Sequence, residues 1–254
     1  MSDSPDQALE LLRSPKFFRK VVAAVRQEGL IGEEQNALVV YIVGTSRLLG
    51  KPLCLFIKGP SGVGKNFLAD TVLGLFPSSE VQHLTSSSSR SWNYAGSKLA
   101  HKVVYVKERN ESAGPVHPTR LLISEKELVH WVTVLKNGRF VQERRVTKGP
   151  IASISTTTKE RVEVDDETRH VSIWLDETPA QTTRIMESSL DRGVGLDPQK
   201  RKVWHEVQRL LKKRSDFKSS SRTGSTLLLD VLATIISGLV VISTPSCGRA
   251  KPLL

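Results

Sequence analysis

The spacing of apolar residues changes from helical to strand-like along the chain. Across residues 8–47 the apolar positions recur every three or four residues and predict three helices. Beyond residue 50, short continuous apolar runs typical of buried parallel strands alternate with turns and helical segments. These runs lie near residues 53–57, 81–85, 103–106, 151–158 and 171–175. The pattern predicts an α/β fold in which helices flank a parallel sheet.

An alternation of apolar and polar residues begins near Leu128 and predicts a β-hairpin. Its turn is Asn137-Gly138, a dipeptide preferred in two-residue hairpin turns. Lys136 and Arg139 flank this turn and place two cations at the hairpin tip, where they suit the phosphate backbone of DNA. A charged tip is also ordinary protein surface, and the sequence leaves both interpretations open.

A glycine-rich loop separates the apolar run at residues 53–57 from a helical segment at residues 67–76. Such a loop turns its backbone N–H groups around phosphates, the helix N-terminus adds a positive dipole end, and a lysine adds a point charge. The pattern predicts a nucleoside triphosphate site. Its residues are Gly59, Pro60, Ser61, Gly62, Val63, Gly64, Lys65 and Asn66.

Asn66 stands where the pattern usually has a Ser or Thr whose hydroxyl binds Mg²⁺. A carboxamide oxygen can ligate a hard cation, so Asn66 is the candidate metal residue. It is bulkier than a hydroxyl and reaches further. The sequence therefore supports nucleotide binding better than hydrolysis.

Three further positions carry candidate catalytic groups. Glu108 ends a buried apolar run, as a base that polarises the attacking water requires, although Lys107 stands where another acid is expected. Thr156 and Thr157 end a later strand with hydroxyl groups, at the edge where α/β sheets bind ligands. Arg169 can reach a γ-phosphate on a neighbouring subunit or pair with the acids beside it.

The net charge of +11 and the pI near 9.8 favour a polyanionic partner, although excess cations also promote solubility. Two cysteines, Cys54 and Cys247, form neither a disulfide framework nor a zinc motif, which fits a reducing cytoplasm. The first residues are polar and acidic, so we expect no secretory signal.

Two segments leave their roles open. Arg90, Trp92 and Tyr94 follow a serine run and suit either contact with single-stranded nucleic acid or ordinary packing. The apolar run at residues 227–242 is slightly short for a membrane span and contains Asp230, so a membrane location is disfavoured. A buried helix and an aberrant chain end are the alternatives.

The order of these segments resembles that of the AAA+ ATPases, and within them the superfamily-three and MCM-like helicases, which have a hairpin before the sensor strand. The phrases at residues 59–65, 149–158, 166–169 and 175–182 look like the ATPases associated with primase modules of bacterial mobile elements. The resemblance covers about residues 8–211. It implies an AAA+-like P-loop NTPase fold with a helical segment at 1–50, an ATPase core at 51–190, and a basic C-terminal helix followed by an unassigned tail at 191–254.

The resemblance also implies roles for individual residues. Lys65 would bind phosphate, Glu108 would be the catalytic acid, Thr156 or Thr157 the sensor, and Arg169 the arginine finger. ATP and Mg²⁺ would be the cofactors of a homo-oligomeric ring that acts on DNA, preferably single-stranded, together with a primase.

Three functions compete at this point. The leading one is an ATP-driven DNA helicase or loader in mobile-element replication. The second is a nucleotide-binding module without turnover that acts as an assembly or regulatory subunit, which Asn66 and Lys107 favour. The third, a small-molecule kinase, does not explain the hairpin.

Overall fold

Five parallel strands form one sheet, and two antiparallel strands form a separate hairpin. The computed structural model describes residues 4–84, 96–108, 116–189 and 195–219. Within these residues the strands are β1 (Cys54–Lys58), β2 (Val81–Leu84), β3 (Val103–Val106), β4 (Glu127–Lys136), β5 (Arg139–Lys148), β6 (Ala152–Thr157) and β7 (Val171–Trp174). The larger sheet has the order β2-β3-β6-β1-β7, and β4 pairs with β5. The predicted parallel sheet and hairpin are confirmed.

Helices flank the sheet in the described residues, as the sequence predicts. They are α1 (Ser4–Arg13), α2 (Phe17–Gln27), α3 (Glu34–Ser46), α4 (Lys65–Leu73), α5 (Val116–Ser124), α6 (Val164–Glu167), α7 (Pro179–Ser189) and α8 (Pro198–Ser219). The first three are the helices that the apolar spacing predicts. Helices α5, α6 and α7 are additional, because none of them has a long apolar stripe for the sequence pattern to detect.

Alternate side chains of the strands enter two hydrophobic cores on opposite faces of the sheet. Leu55 of β1, Tyr105 of β3 and Ile154 of β6 belong to the larger core, together with residues from α2, α3, α4 and α8. Val104 of β3 and Leu122 of α5 belong to the smaller core. The three central strands, β3, β6 and β1, are therefore buried on both faces, whereas the edge strands β2 and β7 are partly exposed.

The strand order determines which residues meet at the edge of the sheet. Strand β6 lies between β1 and β3, and all three run in the same direction. Their carboxyl ends therefore meet at one edge, which places the loop after β1, the end of β6 and the residues after β3 side by side.

The chain divides into two compact units, Met1–Lys212 and Lys213–Leu254. Only residues 213–219 of the second unit are described, as the end of α8. The candidate contacts at Arg90, Trp92 and Tyr94 and the apolar run at 227–242 lie outside the described residues. Among the helices that are described, none combines the length and the apolar character needed to cross a bilayer.

Candidate functional site

The glycine-rich loop, residues 59–64, connects the end of β1 directly to the beginning of α4. Gly59, Gly62 and Gly64 have φ angles of 149°, 84° and 96°, in the region that side chains disfavour. Gly64 is also the N-cap of α4, and no side chain caps the first turn of this helix. The loop and the uncapped helix N-terminus together form a backbone arrangement suited to an anion.

Lys65, the first residue of α4, turns its ammonium group back onto the glycine-rich loop. The group donates hydrogen bonds to the carbonyl oxygen of Gly59 at 2.7 Å and to that of Pro60. The residue is 7 % exposed. Burial lowers the pKa of Lys65, and the negative charge of Glu108 opposes this shift. A partly desolvated cation therefore lies against the loop.

Asn66, Thr156 and Glu108 form one hydrogen-bond chain across three elements. The Thr156 hydroxyl donates to Oδ1 of Asn66 at 2.9 Å and accepts the backbone N–H of Glu108 at 2.9 Å. Thr156 is fully buried, and Glu108 has a φ angle of 50°, unusual for a residue other than glycine. The strand order thus brings the loop helix, the hydroxyl-ended strand and the acidic residue into direct contact.

Thr157 is on the opposite face of the sheet from Thr156. Its Oγ1 accepts the backbone N–H of Lys159 at 3.2 Å, in the turn that follows β6. Successive side chains of a strand point to opposite faces, so only one of the two threonines can face α4. Of the pair, Thr156 is the residue that contacts the site.

The cluster is completed by Lys107, Asp70 and Tyr105. The sequence pattern indicates only the first of these. The Lys107 ammonium lies 2.7 Å from the Asp70 carboxylate of α4 and 5.5 Å from the centre of the Tyr105 ring. The Tyr105 hydroxyl lies 3.3 Å from Oδ1 of Asn66, and burial raises its pKa so that it remains a donor. Asp70 follows Asn66 by one helical turn, a spacing that places the two side chains next to each other on the surface of α4.

The side chains present do not fit a magnesium ion held by Asn66. Oδ1 of Asn66 already accepts hydrogen bonds from Thr156 and Tyr105, which use both of its lone pairs. Mg²⁺ needs oxygen ligands in near-octahedral geometry, and the Lys107 ammonium is a positive charge in the same cluster. The described residues contain no group of three or more His, Cys, Asp or Glu side chains that could hold a metal ion.

Arg169 lies near the start of β7, apart from the glycine-rich loop of its own chain. Val171 pairs with Leu55, about 13 Å along the strand from the loop. Nε of Arg169 donates to Ser124 Oγ at 3.1 Å, and its guanidinium also binds the carbonyl oxygen of Asp165. The arginine is exposed and paired locally, so within one chain it does not meet Lys65.

Lys136 and Arg139 face each other across the hairpin turn, as the sequence predicts. They are directly paired in the β4–β5 register, and Asn137 and Gly138 have φ angles of 50° and 74°. Lys136 forms an ion pair with Glu143, whereas Arg139 is exposed at the tip. The Arg139 guanidinium is therefore more accessible to an outside anion than the Lys136 ammonium.

Comparison of the chain with protein-family models and with curated proteins found no match. The geometry of this site and the resemblance of its sequence motifs are thus the features that bear on function.

Proposed function

We propose that the glycine-rich loop binds the phosphates of ATP and that the chain is an AAA+-like P-loop protein acting on DNA. The observation that carries the proposal is the position of Lys65. Its buried ammonium lies against a loop of three left-handed glycines at the N-terminus of an uncapped helix. A cation, free amide groups and a helix dipole at one point favour a polyphosphate.

In this proposal the phosphates displace the two loop carbonyls as partners of the Lys65 ammonium. The exchange is favourable because a hydrogen bond from an ammonium to an anionic phosphate is stronger than one to a neutral carbonyl. The carbonyls of Gly59 and Pro60 then become free to turn toward solvent. Nucleotide binding would thereby change the loop conformation.

The leading function is an ATP-hydrolysing helicase or loader that works with a primase in mobile-element replication. The Thr156 hydrogen bonds support it, because they connect the loop helix to Glu108, the candidate base. The location of Arg169 supports a ring in which this arginine serves the site of the neighbouring subunit. The hairpin, with five basic and two acidic residues between Glu127 and Lys148, would contact the DNA.

A second candidate function is a nucleotide-binding module without turnover that acts as an assembly or regulatory subunit. The surroundings of Asn66 favour it. Both lone pairs of its carboxamide oxygen are used within the protein, and Lys107 occupies the position of an expected acid. Both changes affect the residues on which hydrolysis usually depends, whereas neither removes the cation or the loop that bind phosphate.

Equilibrium binding of a fluorescent ATP analogue to the full chain tests the shared proposal. Lys65→Ala should weaken binding by about ten- to a hundredfold, the loss expected for a charge-assisted hydrogen bond. Lys51→Ala, which removes an exposed cation just before β1, is the matched control and should bind normally. Equal affinity of Lys65→Ala and the unmodified chain would refute the ATP site.

Phosphate release in the presence and absence of single-stranded DNA then separates the two functions. DNA-stimulated release that disappears in Lys65→Ala supports the motor. Tight ATP binding without release, with and without DNA, supports the binding module.

A further inference from the structure

We propose that the glycine-rich loop binds ATP in its metal-free form, with Lys107 and the Asn66 amide replacing the magnesium ion. The inference rests on the proposed ATP site, but it concerns the chemical form of the ligand. It also explains why two departures from the expected motif occur in one cluster.

The hydrogen bonds of Asn66 occupy its carboxamide oxygen. Its Oδ1 faces two protein hydroxyl donors, at 2.9 and 3.3 Å. In the described part of the chain, its Nδ2 donates no hydrogen bond to another residue. An amide fixed in this orientation offers N–H donors, which bind phosphate oxygens and repel cations. The residue at the usual metal position is thus oriented as a donor.

Lys107 carries the opposite charge from the acid expected at its position. An acid at this position would carry one negative charge, and the ammonium carries one positive charge. The replacement makes the cluster more positive by two units, which equals the charge of one magnesium ion. The Lys107 side chain is 30 % exposed, so solvent and a phosphate oxygen have access to it.

Lys107 lies within the cluster, between Asp70 and Tyr105. Its ammonium is fixed on Asp70, one turn of α4 after Asn66, and lies beside the ring of Tyr105. Tyr105 in turn donates to Asn66. The lysine is therefore part of the same side-chain network as the loop helix rather than a solvated surface group.

A bound phosphate would compete with Asp70 for the Lys107 ammonium. A partly exposed ion pair contributes little stability, and the Asp70 side chain is 41 % exposed. A highly charged polyphosphate can therefore take over the ammonium at low cost. Removing the Asp70 charge should therefore increase the affinity for metal-free ATP.

The experiment measures ATP binding by the full chain in excess EDTA and in excess Mg²⁺. We expect affinity in EDTA to lie within about threefold of that in Mg²⁺. Lys107→Ala should weaken binding in EDTA by about tenfold, and Asp70→Asn should strengthen it by about threefold. Lys102→Ala is the matched control and should have no effect, because Lys102 precedes β3 whereas Lys107 follows it.

A gain of metal dependence provides an independent arm. The double variant Asn66→Ser with Lys107→Asp restores a hydroxyl and a carboxylate, and its ATP affinity should fall in EDTA and recover in Mg²⁺. Circular dichroism and thermal unfolding establish that each variant is folded. If the double variant does not fold, the Lys107→Ala and Asp70→Asn measurements still decide the question.

Two outcomes separate this inference from the proposed function. Binding by the unmodified chain that needs Mg²⁺, falls more than about tenfold in EDTA and is lost in Lys65→Ala would overturn the inference while the ATP site stands. Binding that does not depend on Lys65 in either condition would overturn the ATP site itself and the inference with it.

Discussion

The hydroxyl of Thr156 donates a hydrogen bond to Oδ1 of Asn66 at 2.9 Å, which joins the end of β6 to the first turn of α4. Oγ1 of Thr156 also accepts the backbone N–H of Glu108. One buried hydroxyl thus holds the loop helix and the acidic residue in a common arrangement. A movement of Asn66 on ligand binding would be transmitted to Glu108 through the side chain of Thr156.

Replacing Thr156 by Val should destabilise the folded chain by about 1 to 3 kcal/mol. Valine has nearly the same shape but leaves the Glu108 N–H and a lone pair of Asn66 without their protein partner at a partly buried position. Thr156→Ser retains the hydroxyl and should lose less stability. Urea unfolding monitored by circular dichroism measures the difference, and equal stability of the two variants would contradict the hydrogen-bond chain.

The affinity for ATP should decrease as the pH rises through the lowered pKa of Lys65. Burial lowers the pKa of Lys65 below its ordinary value of about 10.4, so the ligand-free ammonium loses its proton at a lower pH. Phosphate binds the charged form, and binding must therefore take up a proton above the lowered pKa. Titrations of ATP binding between about pH 7 and about pH 9.5 measure the effect.

Lys65→Arg is the control for this pH dependence, because a guanidinium stays charged throughout the range. Its affinity should change less with pH than that of the unmodified chain. A parallel decrease in both proteins would assign the effect to another group. Without ligand, stability should instead rise with pH between the lowered pKa of Lys65 and its ordinary value, since the unfolded chain binds more protons there.

Arg139→Ala should weaken binding of single-stranded DNA. It should also make the slope of log affinity against log salt concentration shallower, by roughly the contribution of one phosphate contact. Lys136→Ala should have a smaller effect, because Glu143 already pairs with that ammonium. Lys148→Ala, at the base of the hairpin, is the matched control. Fluorescence anisotropy at several salt concentrations measures all three, and equal losses from the tip and the base would contradict a tip contact.

Arg169→Ala should reduce ATP-dependent assembly while leaving the fold of the single chain intact. The side chain is exposed and distant from the loop of its own chain, so its removal should change the free energy of unfolding by no more than about 0.5 kcal/mol. Light scattering with and without ATP measures assembly. Arg161→Ala, another exposed arginine nearby, is the control, and equal assembly by both variants would argue against a role in trans.

The strands and the first helices could be predicted because local sequence carries their signal. Strands buried on both faces appear as continuous apolar runs, and Asn137-Gly138 specifies a hairpin turn through its tolerance of positive φ. Helix α7 escaped prediction because it is polar and largely exposed, so it has no apolar period to detect.

The candidate site was predicted in part. Residues 59–66 and Glu108 form recognisable patterns, and the structure places both at the same edge of the sheet. Tyr105 could not be predicted as a site residue, because a tyrosine within an apolar run is typical of a core position. Its contact with Asn66 depends on the distance between β3 and α4, which no local pattern contains.

The amino-acid sequence by itself determined the kinds of element and the chemistry at their ends, because propensity and periodicity act over a few neighbouring residues. Only the tertiary structure decided which of the two threonines meets Asn66, that Lys107 pairs with Asp70, and that Arg169 lies away from its own loop. These relationships depend on strand order and on the face each side chain occupies. They join residues that are tens of positions apart, so packing establishes them and local sequence does not.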